Sequence, residues 1–129
     1  MGEGGSKRPR VLLLEDEGGV ALLIEDMLEE LGCEVVESAA RLSRAVEAAR
    51  KTAIDLAVLD VNVGGETSFD FARQLGERGI PFLFSTGYGD GGIPDEFRDR
   101  PVVGKPFAMS DLRKALTEAL EPRRDRQGN

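Results

Sequence analysis

The chain has 129 residues, with 17 Lys and Arg against 24 Asp and Glu, no His, no Trp and one Cys, giving a formal charge of −7. That length makes one domain, and a hydrophobic content of 40% fills a core without disulfide or metal staples. Without His, imidazole-based nucleophilic catalysis and most transition-metal sites are excluded, and the acidic balance disfavours nucleic acid as a partner. No apolar run nears the roughly 20 residues that span a bilayer, and the N-terminus has no signal-peptide core, so a cytoplasmic protein without membrane insertion is expected. Cys33, beside two valines, is expected to be a small buried hydrophobe.

Residues 11–14 form a continuous apolar run that stops at Glu15-Asp16-Glu17, the pattern of a strand buried on both faces. Val20, Leu23, Ile24, Met27, Leu28 and Leu31 follow at helical spacing, and Gly32 stops that helix. Residues 33–37 predict a second strand, and Leu42, Ala45, Val46 and Ala49 a second amphipathic helix. The apolar stretch 54–59 ends in Asp60 and is followed by a Gly-containing loop over 61–66. A helix over 68–77 is predicted to bury Phe69, Ala72 and Leu75, and residues 80–84 to form the fourth strand. Beyond Thr86, Gly87, Gly89, Gly91, Gly92 and Pro94 break the periodicity, so a helix near 95–98 is short or missing. Val102 and Val103 make a brief fifth strand, and Ser110 offers an N-cap for a last helix carrying Leu112, Ala115, Leu116 and Leu120.

Alternating strands and helices give an α/β fold, a doubly wound parallel sheet of five strands with helices on both faces. Residues 9–121 form the domain, with charged, Gly-containing segments at 1–8 and 122–129 expected to be flexible. Such sheets bind ligands outside the C-terminal ends of their strands. Glu15, Asp16, Asp60, Thr86 and Lys105 stand at those ends. Carboxylates crowded together repel unless a cation joins them, and Mg²⁺ suits an all-oxygen donor set. One acid can then attack phosphorus, and Asp60 is chosen because it ends a buried central strand. Lys105 would neutralise the incoming phosphoryl group, the Thr86 hydroxyl would donate to it, and Gly87 leaves room for its approach.

The motifs Glu15-Asp16-Glu17, Leu59-Asp60-Val61-Asn62, Ser85-Thr86-Gly87 and Gly104-Lys105-Pro106-Phe107, in order at successive strand ends, resemble those of receiver domains of bacterial two-component response regulators. The resemblance covers about residues 9–121 and implies a flavodoxin-like strand order of 2-1-3-4-5. It implies phosphotransfer to Asp60 from a sensor histidine kinase or phosphotransfer protein, and a cis Lys105–Pro106 bond. It also implies a Mg²⁺ site formed by Glu15, Asp16, Asp60 and the Asn62 backbone carbonyl. Two departures stand out. Val102 occupies a position that is usually aromatic in the family, leaving Phe84, Tyr88 or Phe107 to report a switch, and the segment after Thr86 is short and Gly-rich. The run from Phe84 to Tyr88 is similar to a Phe-Ala-Thr-Gly-Tyr variant subgroup of single-domain regulators. A stand-alone regulator that signals through a downstream protein partner, rather than an enzyme, is therefore expected.

Two other chemistries compete. A Mg²⁺-dependent phosphohydrolase would also use an aspartyl nucleophile, but it places a second Asp where this chain has Asn62, which cannot transfer the proton. Gly87, Gly89 and Gly92 satisfy the dinucleotide-binding spacing, yet no convincing helix opens after them.

Overall fold

In a computed structural model, residues 8–87 and 92–121 are described; Tyr88, Gly89, Gly91 and both expected flexible ends, apart from Arg8, lie outside them. β1 (Arg10–Leu14) is buried from Val11 onward and leads into α1 (Gly18–Glu30), which ends at Gly32, whose φ of 93° favours glycine. β2 (Glu34–Ala39) begins one residue later than the apolar pattern indicates, because the Cys33 N–H still bonds to Leu28 O. It runs on to Ala39, the ladder partner of Leu14. α2 (Leu42–Lys51) buries Ala45, Ala48 and Ala49, and β3 (Leu56–Asp60) is buried throughout.

The expected loop over 61–66 proves to contain a hairpin, β4 (Asn62–Val63) paired antiparallel with β5 (Glu66–Thr67). Gly64 and Gly65 turn it with φ of 59° and 86°, the double positive value that a tight two-residue hairpin requires. α3 (Phe69–Glu77) buries Phe71, Ala72 and Leu75, while Phe69, expected in that stripe, is only half-buried. β6 (Phe82–Thr86) starts after Pro81, because the Ile80 N–H closes the preceding helix on Leu75 O. A single 3₁₀ turn, Asp95–Phe97, stands where the short helix was expected, and β7 (Val102–Gly104) follows. α4 (Met109–Leu120) is capped at Ala108, not Ser110: the Ala108 N–H donates to Asp111 Oδ2 at 2.9 Å, and Ser110 lies in the first turn.

Strand order is β2-β1-β3-β6-β7, all pairs parallel, as the flavodoxin-like expectation requires. The apolar runs divide by parity. Leu12, Leu14, Ala57, Leu59, Phe82 and Phe84 face α2 and α3, whereas Val11, Leu13, Val58, Leu83 and Val103 face α1 and α4. Each buried Leu or Phe contributes roughly 1.5–3 kcal/mol of transfer free energy. Two layers of this kind hold the C-terminal ends of β1, β3, β6 and β7 along one rim.

Candidate functional site

Each acid reaches the rim by a different backbone device. Glu15 leaves β1 with its N–H bonded to Ala39 O at 3.0 Å, which keeps its side chain buried at 2% exposure. Asp60 is the last residue of β3, paired with Ser85. Its backbone carbonyl accepts the Ser68 hydroxyl at 2.7 Å, and Ser68 is itself fully buried. Asp16 is exposed, and its Oδ2 accepts the Gly64 N–H at 2.9 Å across the cleft. Carboxylate oxygens of Glu15, Asp16 and Asp60 all lie within 4.8 Å of one another.

Lys105 follows β7 and is locked to β6 by its N–H, 2.7 Å from Thr86 O; the Lys105–Pro106 peptide is cis, as the resemblance implies. Its ammonium donates to Glu15 Oε1 at 2.8 Å and lies 3.4 Å from Asp60 Oδ2. Thr86, half-buried at the end of β6, and Asn62, exposed at the start of β4, line the same open cleft of about 530 Å³ with Asp16, Asp60, Gly87 and Lys105. In a two-residue hairpin the pair next to the turn exchanges the hydrogen bonds, so Thr67 makes no claim on the Asn62 carbonyl.

Burial first, and then the neighbouring Glu15 carboxylate, push the Asp60 carboxyl up to about 6, against the pull of Lys105. Burial alone would lower Lys105, but its hydrogen bond to Glu15 and the charges of Asp60 and Glu15 outweigh that and hold the ammonium above its ordinary range. One ammonium stands among three acids. An all-oxygen, net-negative donor set of this size fits a hard divalent cation, which Glu15, Asp16 and Asp60 could hold, with Asn62 lining the same cleft.

Glu15, Asp16, Asp60, Asn62, Thr86 and Lys105 therefore all stand at the rim, whereas Phe84 is buried in the core and Tyr88 lies outside the described residues. Three were missed: Gly64, Ser68 and Glu17, whose N–H donates to Glu15 Oε2 at 3.1 Å. The Gly-Gly pair was the available signal for the first, and a Ser directly before a helix for the second. Val102, at the start of β7, is 40% exposed, and Phe84 is fully buried in an aromatic cluster with Phe69, Phe82 and Phe97.

Comparison with known proteins gives a consistent result. PdtaR, a transcriptional regulatory protein of Mycobacterium tuberculosis, is 31% identical over 115 residues, 86% of this chain and 56% of that protein. The chain thus spans little more than half the length of the curated relatives it matches. The solution structure of SdrG from Sphingomonas melonis Fr1 superposes with a TM-score of 0.80 at 41% identity, covering 88% of this chain and 98% of that one; SdrG has also been solved in a BeF3-activated conformation. PhyR from Bartonella quintana, an anti-anti-sigma factor, gives 0.76 at 27% identity, covering 88% of this chain and 49% of that one. Residues 11–117 match the response regulator receiver domain, and the chain belongs to that family.

Proposed function

We propose that Asp60 is the phosphoacceptor, taking a phosphoryl group from a histidine kinase or phosphotransfer protein, and that the phosphorylated chain acts by altered binding of a protein partner. The observation that carries this is the meeting of Asp60 with Glu15, Asp16 and Lys105 in one open cleft. An Asp60 oxygen forms the new bond to phosphorus while the bond from phosphorus to the donor breaks and its electron pair leaves with the donor. With its carboxyl at about 6, Asp60 is ionised at neutral pH and ready to attack. Lys105 neutralises the charge that arrives, and the Thr86 hydroxyl donates to a phosphoryl oxygen. When bound, Mg²⁺ would supply charge neutralisation and orient the phosphoryl oxygens.

A protein donor must present its phosphoryl group at this rim. An apolar groove of about 320 Å³ beside the cleft, bounded by Val20, Leu23, Met27 and Phe107, shares Lys105 and Gly87 with it and is the surface assigned to that donor. The chain acts as a signalling domain in the cytoplasm, and among the described residues no helix is long and apolar enough to cross a membrane. The likeness to PhyR makes an anti-sigma-type protein the first downstream partner to test.

Intact-mass measurement after incubation with a small-molecule phosphodonor and Mg²⁺ tests the assignment. One added phosphoryl group is expected, absent in Asp60→Asn and absent without the metal. Many-turnover hydrolysis of a phosphate ester would instead point to a phosphohydrolase.

A further inference from the structure

The β4–β5 hairpin touches each side of the acidic site, and its bonds to Asp16 and Asp60 go beyond its own strand pairing and core packing. At its root the Ser68 N–H donates to Val61 O at 3.0 Å, and the buried Ser68 hydroxyl donates to the carbonyl of Asp60 itself. Val63, 3% exposed, anchors its middle in the core. At its tip the Gly64 N–H holds Asp16 Oδ2 at 2.9 Å, a bond between residues 48 apart in sequence. Asn62, which lines the cleft, lies on its first strand.

We propose that this hairpin is the positioning frame of the metal site, with the Gly64 N–H orienting the Asp16 carboxylate and the Ser68 hydroxyl fixing the backbone carbonyl of Asp60, from which its side chain projects. A carboxylate has two oxygens with several lone pairs, so Asp16 can keep the hairpin's N–H and still offer an acceptor to a cation shared with Glu15 and Asp60. A free Asp16 on an exposed turn would sample several rotamers; the bond to Gly64 selects one before any cation arrives. Hydrogen bonds to metal-ligating carboxylates act in this way, and losing one typically weakens metal binding about 10–100-fold. Gly64 is suited to the task because its φ of 59° points the N–H at Asp16 with no Cβ to strain the turn.

The proposal rests on the divalent cation assigned to this cleft, and its test reads cation affinity in the absence of any phosphodonor. Gly64→Val strains the left-handed tip and displaces the N–H, whereas Gly64→Asn tolerates that conformation and keeps it in place. Mg²⁺ titration followed by backbone amide NMR is expected to give a Kd about tenfold weaker for Gly64→Val, which loses a bond to a carboxylate, about threefold weaker for Ser68→Ala, which acts one step back on the Asp60 backbone, and within about twofold of the parent for Gly64→Asn. Hydrogen exchange of the parent protein is expected to show the Gly64 amide protected and more so with Mg²⁺. Parent-like affinity in both Gly64→Val and Ser68→Ala, or an unprotected Gly64 amide, overturns the proposal. Absence of Mg²⁺ binding in the parent chain would remove the cation assignment instead, and if Gly64→Val fails to fold, Ser68→Ala and the exchange measurement still decide.

Discussion

Asp60 carries opposite demands in one side chain: it must be ionised to attack, and it sits where ionisation is unfavourable. Burial holds its carboxyl at about 6, above the ordinary 3.8, so between those values the folded chain keeps a proton that the unfolded chain has already released. The stability this contributes is complete below about pH 4 and is lost as pH rises through 6. Asp60→Asn never acquires the charge. In metal-free buffer it is expected to be more stable than the parent above pH 6, on the order of 1–2 kcal/mol, and to converge with it below pH 4. Urea denaturation at pH 4 and pH 7.5 checks this, and an equal difference at both pH values would contradict it. The same electrostatic load explains why Lys105 is shared between Glu15 and Asp60 rather than paired with one acid.

At the scale of elements, the segment between β6 and β7 shows how packing substitutes for a helix. Its 3₁₀ turn supplies one large side chain, Phe97, whose ring centroid lies 5.3 Å from Phe84, 5.7 Å from Phe82 and 6.0 Å from Phe69. Arg73 of α3 forks onto Glu96 with nitrogens 2.7–3.0 Å from its oxygens, and Arg100 lies over the Phe82 ring at 4.2 Å, so both ends of the turn are tied down from outside. The ion pair is exposed and screened by solvent, so it adds little. Phe97 dominates. Phe97→Ala is expected to destabilise the chain by about 3 kcal/mol, and Arg73→Ala by far less, measured by chemical denaturation. That the described residues of this segment form only a 3₁₀ turn was legible in the glycines and Pro94, because they break periodicity locally. The hairpin was not legible, since strands of two residues are too short to show alternation, and its pairing depends on Val63 finding the core.

For the whole molecule, binding at a rim assembled from β1, β3 and the segment after β7 must couple to global stability, because the unfolded chain has no such site. Mg²⁺ at about 100 times its Kd is expected to add about 2.7 kcal/mol and raise Tm on the order of 10 °C, whereas Na⁺ at matched ionic strength should leave it unchanged. Scanning calorimetry decides it; an equal shift in Asp60→Asn would place the cation elsewhere. The amino-acid order by itself determined the α/β class, the two-faced burial of the strands and the acids, hydroxyl and lysine at strand exits, since these follow from local periodicity and its abrupt endings. Where each strand begins, which residue caps α4, and the reach of Gly64 to Asp16 were decided only by the tertiary structure. Ladder ends are set by the neighbouring strand and the hairpin's contacts by residues 48 positions away, and neither distance is written in a local pattern.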